Sequence, residues 1–255
     1  MSAALDDHGR AAYRPETPWR PAPAIIVALA ASFAPILVSV AAMVAENHGL
    51  ISPEGHVQID GSPSLSSPFM LTQMIAGQIL SLWIVWIAAG WRGARTSTLQ
   101  LAEPQTDWLT AIAYGLALVV LIGPIEVLLY RLAGVELFSD GRWLLEGLRS
   151  PLWWAIIIAA VVLAPLWEEI TFRGFLLSAL AKSRLGFWPA AVLSSLVWTL
   201  LHWGYSTPGL ASVFLAGLGM SWIMKRTGSM RAVVVAHSVI NACSLLIIYL
   251  FAPAT

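Results

Sequence analysis

The chain has 255 residues and a formal net charge of zero, and 58% of its residues are hydrophobic while only 11% are charged. Soluble domains average about 45–50% apolar and about 25% charged residues, so this composition excludes an ordinary soluble domain and predicts a membrane protein. A neutral chain gives no reason to expect a nucleic-acid partner. The single cysteine, Cys243, excludes an internal disulfide.

Seven apolar runs follow one another along the chain, and a helix needs roughly 20 apolar residues to cross a bilayer. The predicted spans are Ala22–Ala45, Phe69–Trp91, Trp108–Leu129, a fourth that starts near Leu152, Phe187–Trp203, Leu210–Met224 and Ala232–Phe251. The fifth and sixth are short, which favours little tilt or a place inside the bundle. The sequence therefore predicts an all-α fold, a polytopic membrane helix bundle of about seven transmembrane helices.

The distribution of lysine and arginine predicts the orientation. Ten of these residues lie in the N-terminal tail and in the loops after spans two, four and six, whereas three lie on the opposite side. By the positive-inside rule the N-terminus is cytoplasmic. We expect a multi-pass protein of the plasma membrane, which in a bacterium is the inner membrane.

The polar residues divide the chain into four parts. Residues 1–21, with three prolines among charged and small residues, predict a flexible cytoplasmic tail. Residues 22–131 hold the first three spans and almost no polar groups. Residues 132–150 are a connecting segment in which the pattern "DGRWLLEGL" predicts a short helix on the membrane surface. Residues 151–255 hold four spans and nearly all of the polar groups, so the functional site is expected there.

The fourth span contains "APLWEEITFRG", residues 164–174, in which three charged side chains interrupt an apolar run. On insertion scales three such charges cost on the order of 8–10 kcal/mol at the centre of a helix, so they must face protein or water. Glu169 and Arg173 are four residues apart and are predicted to pair. Glu168 points about 100° away and has no partner in its own segment. Pro165 predicts a kink just before it.

Two later spans add histidines. "SSLVWTLLHWG" places His202 one turn after Trp198, and "VVVAHSVINACS" places His237 one turn before Asn241. Either histidine alone is at least as well explained as a core residue bonded to a backbone carbonyl. The predicted topology also puts His202 near the outer end of its span and His237 near the cytoplasmic start of its own, at different depths.

Together with Glu168 these residues suggest a polar site among three apolar helices. Imidazole and carboxylate groups are zinc ligands, which makes Glu168, His202 and His237 a candidate metal set. Glu168 in an apolar site also suits a general base that takes a proton from water. Asn241 is suited to stabilise an oxyanion or to hold His237 in one tautomer. The chain has neither H-E-x-x-H nor G-x-S-x-G, and the spacing leaves open a hydrolytic site or a proton pathway.

Three short motifs resemble those of a known family. "EEITFRG" resembles the E-E-x-x-x-R signature of the CAAX protease and bacteriocin-processing family, also called the Abi family. "WTLLH" is similar to its F-x-x-x-H motif, with Trp198 in place of the usual phenylalanine, and "HSVIN" is similar to its H-x-x-x-N motif. The motifs occur in the family's order, and the resemblance covers about Leu152 to Leu250.

This resemblance implies an intramembrane endopeptidase that acts on a peptide or membrane-protein substrate within the bilayer. Glu168 would activate water, and Glu169 with Arg173 would complete the first motif. His202 and His237 would be catalytic or metal-binding, and Asn241 would stabilise the oxyanion. The resemblance leaves open whether a zinc ion is bound or whether Glu168 and the histidines activate the water alone.

Two other functions remain alternatives. A non-catalytic membrane scaffold or immunity protein would keep the fold and bind a partner. A proton-coupled transporter would relay protons through Glu168 and the histidines, although transporters usually show repeat-related halves, and no such repeat is seen in the sequence. The sequence predicts neither the substrate nor the oligomeric state.

Overall fold

The structure is a computed structural model that describes residues 13–48, 58–59, 62–63, 68–102 and 105–253. In that part of the chain the regular secondary structure is helical apart from two antiparallel two-residue strands, Gln58–Ile59 and Ser62–Pro63. The predicted all-α fold is confirmed. Residues 1–12 of the predicted tail lie outside the described residues.

The described helices follow the predicted spans closely. In chain order they are α1 (Pro21–Asn47), α2 (Pro68–Trp91), α3 (Arg95–Thr98), α4 (Trp108–Ala133), α5 (Arg142–Arg149), α6 (Trp153–Ala181), α7 (Phe187–Leu200), α8 (Thr207–Thr227) and α9 (Met230–Phe251). Six of these helices, namely α1, α2, α4, α6, α8 and α9, are long and apolar enough to cross a membrane, and α7 is a shorter apolar helix. The chain is a polytopic helix bundle.

Helix α6 is irregular on both sides of the charged motif. Its segments Ile158–Leu163 and Ile170–Leu176 are π-helical, and Ala164–Glu169 between them is α-helical. The Ala164 N–H donates to the Ala159 carbonyl, five residues back. A π turn therefore lies just before Pro165, where the sequence predicts a kink. Single π turns inside α-helices occur frequently at functional sites.

Helix α6 is also the best-buried span. Half of its apolar central stretch is buried, against 11% for α4 and 22% for α1 and α9. Helix α1 packs on α2, α9 packs on α4, and α8 packs on α7 and α4. The outer faces carry exposed large apolar side chains such as Leu109, Val120 and Leu128, as lipid contact requires. The polar groups of α6 consequently face protein.

The tail prediction needs a correction for residues 13–20. Thr17 and Trp19 are buried, and the Trp19 ring meets the edge of Phe175 with 5.1 Å between ring centroids. Lys182 Nζ donates to the Thr17 carbonyl at 2.6 Å. This segment packs against the end of α6 because its aromatic and backbone polar groups find partners there. The flexible tail predicted for residues 1–21 therefore does not include residues 13–20.

The helix predicted in the connecting segment is present as α5. Leu145 is buried and Trp143 is exposed, so the helix is amphipathic, and it packs against α6 and α9. Its place on the membrane surface stays a prediction. A short 3-10 turn, Ser139–Gly141, comes directly before it and carries Asp140.

Candidate active site

Two adjacent glutamates of α6 reach different partners. Glu168 Oε2 accepts a hydrogen bond of 2.6 Å from the indole nitrogen of Trp198 on α7. Glu169 is fully buried, and its Oε1 lies 3.1 Å from Arg173 Nη1 and 2.7 Å from His237 Nδ1. The predicted pairing of Glu169 with Arg173 is confirmed. Helical geometry turns consecutive residues about 100° apart, which separates the two carboxylates.

Arg173 connects three helices from a fully buried position. Besides contacting Glu169, it donates from Nη2 to the Gly217 carbonyl of α8 at 3.3 Å. Its guanidinium also lies over the Trp198 ring, 4.5 Å from the centroid. A side-chain carbon at Gly217 would lie 3.1 Å from Nη2 and 3.0 Å from Ser195. Glycine therefore allows α8 to approach closely enough for the buried charge to be bonded, which a buried ion pair requires.

The hydrogen bonds of the two histidines define their tautomers. His202 Nδ1 lies 3.1 Å from the Trp198 carbonyl, which can only accept, so this nitrogen donates. His237 Nδ1 donates to the Glu169 carboxylate across 2.7 Å. In a neutral imidazole the other nitrogen, Nε2, then carries a lone pair. Both rings therefore have one anchored nitrogen and one nitrogen left for chemistry.

Trp198 brings the two histidines together. Its ring centroid lies 5.2 Å from that of His202 and 5.6 Å from that of His237, and both contacts are edge-on. The difference in depth expected between these histidines does not separate them. Helix α7 has only 14 residues, about 21 Å of helix against a bilayer core of about 30 Å. It ends at Leu200, so His202 lies in the turn beyond it instead of inside a span that reaches Trp203.

Asn241 contacts the irregular backbone of α6. Its side-chain amide donates to the Ala160 carbonyl at 2.7 Å. In a π-helical turn the Ala160 carbonyl would be bonded by the residue five positions later, which is Pro165 and has no N–H. Asn241 supplies a donor in its place, and among the described residues its second amide hydrogen takes part in no other bond that the structure shows.

Residues 150–243 match the family described as type II CAAX prenyl endopeptidase Rce1-like. These residues form a domain of that family. The match begins beside the start predicted for the four-span core and contains all six predicted site residues, from Glu168 to Asn241. Neither a search of curated proteins nor a search of solved structures found a match.

The match to the Rce1-like family supports membrane protease activity in general. The six long apolar helices indicate a multi-pass membrane protein. The predicted metal set fits less well. Among the described residues, no three His, Cys, Asp or Glu side chains are grouped closely enough to hold a metal ion. Glu168, His202 and His237 therefore do not form a three-ligand site here. Zinc stays a prediction.

A polar cluster that the sequence pattern did not predict joins Tyr130 and Asp140 to Ser206. Ser206 belongs to the domain, but its partners precede it in the chain. Asp140 Oδ1 accepts from the Ser206 N–H at 2.9 Å, and Oδ2 accepts from the Ser206 hydroxyl at 2.7 Å and the Tyr130 hydroxyl at 2.5 Å. These bonds fix the turn at residues 201–206, which carries His202. The serine before "TP" is a helix-capping signal, but no sequence signal connects it to Asp140.

Tyr205 lies in the same turn and meets the edge of His202, with 5.3 Å between ring centroids. Burial, helped by the negative charges of Glu168, Asp140 and Glu126, raises the pKa of Tyr205 to about 12. Its phenol therefore stays neutral at physiological pH and is available as a hydrogen-bond donor beside His202.

Proposed function

We propose that the chain is an intramembrane endopeptidase in which Glu168 activates the water that hydrolyses a peptide bond. The observation that carries the proposal is the convergence of Glu168, His202 and His237 on Trp198, inside a domain of a protease family. We place the enzyme in the plasma membrane, which in a bacterium is the inner membrane.

The proposed reaction uses the carboxylate as a general base. A water between Glu168 and an imidazole donates one hydrogen to the free carboxylate oxygen and the other to a histidine Nε2. Its lone pair is then directed at the carbonyl carbon of the substrate. Glu168 takes the first proton as the C–O bond forms, and returns it to the amide nitrogen as the C–N bond breaks. The products are a free carboxyl group and a free amine.

The buried groups around this water would hold it and the substrate in place. Glu169 fixes the tautomer of His237, and Arg173 balances the charge of Glu169. Asn241 would use its second amide hydrogen on the oxyanion that develops on the substrate carbonyl. Because the site is enclosed by apolar helices, these interactions act at low dielectric and are stronger than in water.

The substrate class proposed first is a membrane-attached peptide. The matched family's name refers to CAAX prenyl peptides, and a lipid-modified peptide would carry its scissile bond to the membrane. The comparison to make is a farnesylated CAAX peptide against the same peptide without the lipid.

The test is peptide cleavage in proteoliposomes by wild type and by the Glu168→Gln variant. A general base typically contributes about 10²–10⁴-fold, so turnover should fall by that factor while the affinity for substrate persists. Equal turnover by the two proteins would contradict the proposal. A scaffold or immunity protein would bind the peptide without cleaving it, and this outcome would favour that alternative.

A further inference from the structure

Trp198 contacts four residues of the site through four different groups. Its indole N–H donates to Glu168, its carbonyl accepts from His202, its ring face lies under Arg173, and its ring meets the edge of His237. The residue is only 3% exposed. It therefore has no freedom to leave these contacts without repacking the centre of the domain.

The hydrogen bond to Glu168 distinguishes the two oxygens of that carboxylate. The indole N–H is a donor that cannot accept, and it lies 2.6 Å from Oε2. Among the residues that the structure describes, this is the one hydrogen bond seen to the Glu168 carboxylate. The other oxygen, Oε1, is left for a water molecule.

We propose that Trp198 is a positioning residue that holds one oxygen of Glu168 so that the other faces the attacking water. The inference rests on the proposed role of Glu168 as the base. Phenylalanine, the usual residue at this position in the family that the motifs resemble, has no donor. This means of orienting the base would then be a specific property of this chain.

The positively charged guanidinium of Arg173 also lies over the face of this ring. The effect of losing the N–H must therefore be distinguished from the effect of losing the indole ring. Two replacements achieve this separation. Trp198→Phe removes the donor and changes the shape, whereas benzothienylalanine at position 198 replaces the N–H by sulfur and keeps the shape.

The first experiment measures kcat and KM for both replacements in proteoliposomes with the farnesylated peptide. A misplaced catalytic group lowers turnover by about 10- to 100-fold, so kcat should fall by that factor in both, with KM within about twofold. Trp203→Phe is the matched control, because Trp203 is 82% exposed in the adjacent turn. Wild-type kcat in the benzothienylalanine protein would overturn the proposal, since shape alone would then be sufficient.

The second experiment does not depend on turnover. The chain has 13 tryptophans, and selective ¹⁵N labelling gives indole N–H resonances in detergent micelles. The resonance lost in Trp198→Phe identifies Trp198, and it should move upfield in Glu168→Gln as the charged acceptor is removed. An unchanged resonance would overturn the proposal. A moved resonance in a protein that cleaves no peptide would refute the proposed protease function while the contact itself stands.

Discussion

The side-chain amide of Asn241 donates a hydrogen bond of 2.7 Å to the backbone carbonyl of Ala160, 81 residues earlier in the chain. Pro165, which has no N–H, occupies the position from which a π turn would bond this carbonyl. The third sequence motif thus supports the backbone that leads into the first motif. A half-buried carbonyl that loses its partner is costly, so this contact stabilises the approach to Glu168.

We expect Asn241→Ala to destabilise the protein by about 1–3 kcal/mol, because the Ala160 carbonyl loses its donor. Thermal unfolding in detergent measures this change. Pro165→Ala supplies a backbone N–H at the position where it is missing, so the loss caused by Asn241→Ala should be smaller in the double variant. Additive losses would show that the two residues do not act on the same carbonyl.

The buried pair of Glu169 and Arg173 gives a second prediction. Glu169→Gln leaves the Arg173 charge without its partner in a fully buried site, and breaking a buried pair in this way costs about 3–5 kcal/mol. The double variant Glu169→Gln with Arg173→Met removes both charges and should recover part of that loss. Thermal unfolding of the three variants measures the effect, and a neutral Glu169→Gln would contradict it.

Gly217 gives a third prediction. In Gly217→Ala the new methyl group would lie 3.0 Å from Ser195 and 3.1 Å from Arg173 Nη2, so α8 must move away from α7 at a cost of about 1–3 kcal/mol. Gly123→Ala is the matched control in α4, because nothing lies within 4 Å of its added carbon. Melting temperatures of both variants give the comparison. Equal stability would mean that α8 does not need the close approach.

The contact between Asp140 and Ser206 gives a fourth prediction. Asp140 precedes the region that matches the family, and Ser206 lies within it. Asp140→Asn weakens the bonds that hold the turn at residues 201–206, so His202 loses its fixed position. We expect kcat to fall by about 10-fold or more, and hydrogen exchange in the turn to become faster. Glu136→Gln is the control, since its ion pair with Arg142 is substantially exposed and should contribute about 0–1 kcal/mol. Unchanged hydrogen exchange in the Asp140→Asn variant would show that Asp140 does not hold the turn at residues 201–206.

Much of the fold could be predicted from the sequence because it depends on local properties. A bilayer requires long apolar runs, and these gave seven helices with ends within a few residues of those observed for most spans. The pairing of Glu169 with Arg173 follows from the helical repeat alone. The candidate site residues were identifiable because polar groups are costly in apolar spans and therefore indicate function.

The end of α7 and the packing of residues 13–20 could not be predicted in the same way. Hydropathy continues past Leu200 to Trp203, but the helix ends at Leu200, and the turn that follows is bonded through Ser206 to Asp140 of another segment. Residues 13–20 are polar enough to resemble a tail, yet Thr17 and Trp19 are buried against the end of α6. In both places a partner distant in sequence overrides the local pattern.

By itself the sequence determined where the apolar helices lie and which polar side chains they carry, because apolar length and helical periodicity are local. Only the tertiary structure decided which polar groups meet. The bonds from Trp198 to Glu168, from Asn241 to Ala160 and from Ser206 to Asp140 span 30, 81 and 66 residues. Such contacts depend on which helices are neighbours and at what depth, and this is a property of the packed bundle.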